Sequence, residues 1–199
     1  LNIHGGITMA LTLNGTANTI SGLAVGGLPD GIVDTDMLAA NAVTAAKAAG
    51  RGLTEVDQWR ITSDFSTAAG SITANWERAD TSLNAGTKGT GMTESSGIFT
   101  FPSTGWWLII FQGNGYEDTD TATITCAIDC GSTSVSEGKG FSEGNSKFSA
   151  WTAAVVDVTN TSSSSAQIKF YVTSTDSVNW IGASTVNATW AMFIRLGDT

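Results

Sequence analysis

Few residues in this sequence of 199 could do chemistry, and their spacing limits what that chemistry would be. Glu117, Asp118 and Asp120 cluster in YEDTDTA. Carboxylates at alternating positions can ligate calcium, but these lie between two strand-like runs and read as an acidic hairpin loop. Asp34 and Asp36 read as helix-capping groups at the start of an Ala-rich segment. Cys126 and Cys130 lie in TCAIDC. On a strand, positions four apart are separated by about 13 Å, beyond the roughly 4.4–6.8 Å that a disulfide allows between Cα atoms. They read as two free thiols, too few for a zinc site. His4 is the single histidine, which excludes a Ser-His-Asp triad and an HExxH site within one chain. GTKGTG (86–91) and GKGFSEG (138–144) lack the phosphate-binding pattern and read as loops. No pair of acids stands out for glycoside hydrolysis. Trp59, Trp76, Trp106, Trp151 and Trp180 could stack on sugars. Most read as core or interface, and Trp180, in the polar stretch SVNWIG, is the best exposed candidate. We therefore expect no enzyme, no cofactor and no metal.

Composition narrows the partners. Only 14% of the residues are charged and the net charge is -9, the wrong sign for a phosphate backbone. No apolar run reaches the roughly 18–20 residues that would span a bilayer as a helix. Neither nucleic acid nor membrane insertion is expected. Apolar residues make up 41% of the chain, enough for a real core.

The elements that would position a site divide near residue 55. Residues 1–54 contain no aromatic residue; all seven Trp, all eight Phe and both Tyr follow. Aromatic rings supply much of a core's buried area, so the first part needs another body to pack on. TDMLAANAVTAAKAAG reads as short helix, capped by Thr35 or Asp36 and ended by Gly50. Adjacent Gly5 and Gly6 codons could spell a ribosome-binding sequence upstream of Met9, which would make Met9 the natural start.

From 55 to 199, β-branched and aromatic runs alternate with Gly, Ser, Asn and Asp clusters, the signature of an antiparallel sandwich or barrel. Strands are expected at 58–66, 72–78, 96–101, 105–113, 121–129, 148–159, 166–174 and 187–196. In two of them one face is apolar and one polar: Ile124, Cys126 and Ile128 share a face, as do Ile168, Phe170 and Val172. Segment 105–113 is apolar on both faces, with Trp106, Leu108 and Ile110 opposite Trp107, Ile109 and Phe111. In 187–196, Trp190, Met192 and Ile194 oppose Ala191 and Phe193. In 148–159, Trp151 and Val155 oppose Phe148, Val156 and Val158. A strand apolar on both sides is buried on both sides, so one sheet should pack against its partner sheet and also against another copy of the chain.

The run SSGIFTFPSTGWWLIIFQGNG resembles the B-to-C strand region of trimeric jelly rolls of the complement globular-head and tumour-necrosis-factor-like family. Gly97, Phe99, Pro102, Gly105, Trp107 and Phe111 carry the match, and NATWAMFIRL resembles that family's last strand. The resemblance implies a two-sheet jelly roll whose inner sheet forms a threefold interface. It places Trp107, Ile109 and Phe111 in the core, where the strand faces add Ile124, Ile128, Ile168, Phe170, Val172, Trp190, Met192 and Ile194. Trp106, Leu108, Ile110, Ala191 and Phe193 would face neighbouring chains. GIVDTDMLAANAVTAAKAAG is similar to short units of bacteriophage tail fibres, through Val33, Leu38, Ala39, Ala42, Val43, Thr44 and Lys47. That implies attachment to other virion proteins through Val33, Met37, Leu38 and Val43. Together the resemblances imply a mainly β structural virion protein with an extended, partly helical segment at 1–54 and a homotrimeric knob at 55–199. As a tail fibre, head fibre, spike or decoration knob, its further partner would be a host-surface glycan or protein. The competing class is a secreted cellular trimeric adhesion or ligand-binding module.

Overall fold

Sixteen strands, one turn of 3-10 helix and no α-helix make up the described part of the computed structural model, which covers residues 12–14, 19–21, 52–81, 84–117, 122–144 and 146–199. The chain divides between Ala49 and Gly50. In the first unit, β1 (Thr12–Asn14) and β2 (Thr19–Ser21) form an antiparallel hairpin. The helix expected from TDMLAANAVTAAKAAG, and with it Val33, Met37, Leu38 and Val43, lies outside the described residues.

The second unit begins with β3 (Val56–Ile61), β4 (Phe65–Ser71), β5 (Trp76–Arg78), β6 (Asp80–Thr81), β7 (Asn84–Ala85), β8 (Thr87–Lys88), β9 (Thr93–Ser95) and β10 (Ile98–Thr100). The longer strands follow: β11 (Gly105–Tyr116), β12 (Ala122–Cys130), β13 (Thr133–Ser142), β14 (Lys147–Val158), β15 (Gln167–Trp180) and β16 (Trp190–Gly197). Every ladder is antiparallel, and the strands form a jelly roll of two layers. One layer runs β14-β11-β16-β3, with β5 and β8 on the outer edge of β3. The other runs β13-β12-β15, with β4 and β10 pairing β15. A short ladder between β11 and β15, Gly115 to Trp180 and Tyr116 to Asn179, joins the layers at one corner.

The motif residues of 96–111 explain their own presence. Ser96 and Gly97 both have positive φ, 53° and 77°, and form the two-residue turn between β9 and β10. A hairpin turn of this kind needs left-handed backbone at both central positions, which glycine adopts without strain. A Cβ on Gly97 would also overlap the Ile72 carbonyl oxygen. The turn delivers Phe99 to the centre of the core. Its ring lies 5.1–5.4 Å from the rings of Trp76, Phe170, Phe193 and Trp59. Such packed, tilted pairs add to the burial energy of each ring.

Four details depart from the sequence reading. The expected strand 58–66 is two strands in different layers. Ser63 and Asp64 turn the corner, and Asp64 accepts a hydrogen bond from the Gly182 amide at 2.8 Å. The stretch 138–144 reads as loop, yet most of it belongs to β13, whose Ser-, Gly- and Lys-containing sequence pairs along the whole of β12. Trp180 is not exposed. β15 continues through the polar stretch 174–177, so the period of two returns Val178 and Trp180 to the core face. There Trp180 is fully buried beside Phe148 and donates to the Thr67 carbonyl. In β16 the two faces are reversed. Ala191 and Phe193 are fully buried in the core, while Trp190, Met192 and Ile194 lie on the opposite face and are half-buried. The register explains it: Phe111 pairs Ala191 and Ile109 pairs Phe193, so these four side chains must share the face of Trp107.

Candidate functional site

Residues one strand apart in register lie side by side on a sheet, so the outer face of the β14-β11-β16-β3 layer can be read row by row. Trp106 lies beside Asp157. The next row is Val155, Leu108, Ile194 and Val56; below it come Ala153, Ile110, Met192 and Gln58. The last row is Trp151, Gln112, Trp190 and Arg60. The middle of this face holds no charge and is largely apolar. Trp151 is 64% exposed, Val155 55%, Leu196 52% and Trp106 44%. Monomeric proteins rarely leave so continuous an apolar surface open.

The margins are polar and internally satisfied. Gln112 donates to Asn114 at 3.1 Å, and Asn114 donates to the Ala188 carbonyl at 2.9 Å. Arg60, fully buried, donates through Nη2 to Glu77 and Asp80 at 2.5 Å each and through Nη1 to Thr81 at 2.8 Å. On the core side of β3, buried Asp57 accepts from Trp59 Nε1, from Arg78 and from the Met92 amide. Removing one partner of such a buried pair leaves an uncompensated charge, at a cost of about 3–5 kcal/mol. Both arginines are thereby committed to tying β5, Asp80, Thr81 and Met92 to β3.

Trp107, Ile109, Phe111, Ile124, Ile128, Ile168, Phe170 and Val172 are all fully buried between the layers. Trp106, Leu108 and Ile110 lie on the outer face, Trp106 well exposed and the other two half-buried. Trp151, Val155, Trp190, Met192 and Ile194 complete that face. The opposition of Trp151 and Val155 to Phe148 is visible in the sequence as alternation, and it is the signal that extends the apolar face onto β14. Glu117 is buried; Asp118 and Asp120 lie outside the described residues. Among the described residues no group of three or more His, Cys, Asp or Glu side chains converges.

Cys126 and Cys130 are free. Burial against the core pushes the Cys126 thiol up from 9.0 to about 12, partly offset by a hydrogen bond from the Gly113 backbone. Cys130 is half-buried and raised by burial and then by the charge of Asp129. Thiols held neutral are poor nucleophiles. Iodoacetamide at pH 8 should therefore leave Cys126 unmodified in native protein and label it in urea; rapid native labelling would contradict the burial. The sign of the pH effect follows. Above pH 9.0 the unfolded chain releases this proton and the folded chain keeps it, so the contribution is complete below that value and is lost as pH rises toward 12.

These features define an antiparallel jelly roll with one sheet face open and apolar. Among solved structures, the same fold occurs in Eiger TNF from S. frugiperda, at 12% identity over 75% of this chain and 96% of that one, with a TM-score of 0.53. Murine APRIL matches at 13% identity over 71% and 98%, with a TM-score of 0.51. The PRD1 vertex protein P5 matches more loosely, at 12% identity over 73% and 99% and a TM-score of 0.42. No family model and no curated protein matches the chain. The fold is that of a TNF-like jelly roll.

Proposed function

We propose that the chain is a structural virion protein whose residues 55–199 form a homotrimeric knob and whose residues 1–54 attach it to other virion proteins. The observation that carries the trimer is the outer face of β14-β11-β16-β3. It is uncharged in its middle and tryptophan-rich, on a chain whose net charge of -9 makes its remaining surface self-repelling. A second copy offers the same uncharged surface. The resemblance of 96–111 to trimeric jelly rolls supports a threefold rather than a twofold arrangement. The virion role is supported by the fibre-like unit at 31–50 and by the low-charge, Gly- and Thr-rich composition. The knob carries no catalytic machinery in this reading and acts by binding or by capping the particle surface.

Light scattering at micromolar concentration should give three times the chain mass. A clean monomer would overturn the interface. A density map of the source particle should show threefold knobs on the capsid or tail. Chain found only free in the medium, with no particle, would instead favour the secreted-module reading.

A further inference from the structure

The polar sheet, on the other side of the sandwich from the apolar face, carries a groove of about 440 Å³, within the roughly 300–1,000 Å³ of small-molecule sites. Its origin is a register effect. Ala127 on β12 pairs Glu137 on β13 and Tyr171 on β15. A methyl group thus lies between two long side chains, and the sheet dips there. Thr125 and Thr173 pair at one end of the dip, with Lys139 beside them; Asp129 closes the other. Lys169, the register partner of Asp129, turns its ammonium group to the Gly131 carbonyl at 3.2 Å. Among the described residues Asp129, Glu137 and Lys139 enter no ion pair.

We propose that this groove binds a neutral sugar. The inference deepens the knob reading and rests on it for its biological sense. Tyr171 lines the groove, and an aromatic ring there would offer a flat apolar surface to the C–H face of a pyranose. Glu137 and Asp129 are strong acceptors for sugar hydroxyls. Thr125 and Thr173 both donate and accept, and Lys139 donates. Two carboxylates against one ammonium disfavour sialylated or sulfated sugars. Because the groove lies on the outer surface of the sandwich, burial of the apolar face by neighbouring copies leaves it accessible, once per protomer.

The test uses the whole protein on a printed array of neutral, sialylated and sulfated oligosaccharides, followed by calorimetric titration of the strongest neutral oligosaccharide. Neutral oligosaccharides should bind. Tyr171→Ala should weaken binding about tenfold or more, Tyr171→Phe should retain it, and Ala127→Leu, which fills the dip, should abolish it. Each variant is checked for unchanged mass and melting temperature; if Tyr171→Ala fails to fold, Ala127→Leu decides. No neutral oligosaccharide bound, a preference for acidic ones, or binding unchanged in Ala127→Leu would overturn the proposal. Silence on the array with a trimer in solution removes the groove alone. A monomer that binds sugar removes the knob reading and leaves the groove.

Discussion

Trp107→Ala should unfold the protomer, whereas Trp106→Ala, one residue away, should leave it folded and loosen its self-association. Trp107 is fully buried in the core face of β11, 5.0 Å from the ring of Phe101. Truncating a large buried aromatic costs roughly 3–5 kcal/mol, a large share of the roughly 5–15 kcal/mol that holds a domain folded. Trp106 points to the other side and is 44% exposed. In an isolated protomer its loss should cost little. In an assembly closed through the β14-β11-β16-β3 face it removes a contact made only between copies, so stability becomes more dependent on concentration. Trp151→Ala, at 64% exposure on the same face, should behave like Trp106→Ala. Urea melts over about a hundredfold dilution series separate the two classes, since coupling to assembly appears as a midpoint that moves with concentration. If Trp107→Ala shows the added dependence and Trp106→Ala does not, the two faces of β11 are exchanged. If neither variant matters, β11 is not a central strand.

The faces of β11 were legible because the run from Trp106 to Phe111 carries a bulky apolar side chain at every position and leaves only two ways to face the core, and the Gly97-to-Phe111 pattern chose between them. β16 offered the same ambiguity without that anchor. Trp190, Met192 and Ile194 outweigh Ala191 and Phe193 in apolar bulk, so bulk alone pointed the wrong way. Only the pairing with β11 settles the matter, and pairing is a property of two strands together. Trp180 was misplaced for a related reason: its neighbours Ser177 and Asn179 are polar, yet they face outward on a strand that had not ended. β13 left no hydrophobic alternation to read, because its place depends on backbone pairing and on what its glycines allow. The open apolar face was legible as an excess of apolar faces over core. The groove around Tyr171 was not, since its dip arises from three strands in register across Ala127.

Gly138→Val should be among the most damaging substitutions on the surface of the protein, although Gly138 lies in a stretch that reads as loop. β13 packs its middle directly against β14: Ser136 hydrogen-bonds Thr152 at 2.6 Å and the Ala153 carbonyl at 2.8 Å. A Cβ on Gly138 would overlap the Trp151 carbonyl oxygen and lie 2.6 Å from its carbon. Both atoms are backbone, so no side-chain rotation relieves the overlap. The strands must separate instead, losing the Ser136 bonds and the cover over that edge of the core. Overpacking costs about 1–3 kcal/mol even where side chains can shift, so a clash with fixed backbone should reach or exceed the upper end. Gly140 is a graded control, since a Cβ there meets the Ser149 carbonyl oxygen at 2.9 Å. Gly140→Ala should cost measurably less. Gly70 in β4 is the opposite control: its nearest neighbour would be Thr67 Oγ1 at 3.9 Å. Gly70→Ala should be neutral or stabilise by about 0.4–1 kcal/mol, because it restricts the unfolded chain without straining the folded one. Melting temperatures should fall in the order Gly70→Ala, Gly140→Ala, Gly138→Val. Because Trp151 lies on the face proposed for self-association, Gly138→Val should also shift an oligomer equilibrium made through it, whereas Gly70→Ala should not. A folded, stable Gly138→Val protein would mean that β13 does not close on β14, and the edge of the sandwich beside the apolar face would then be open.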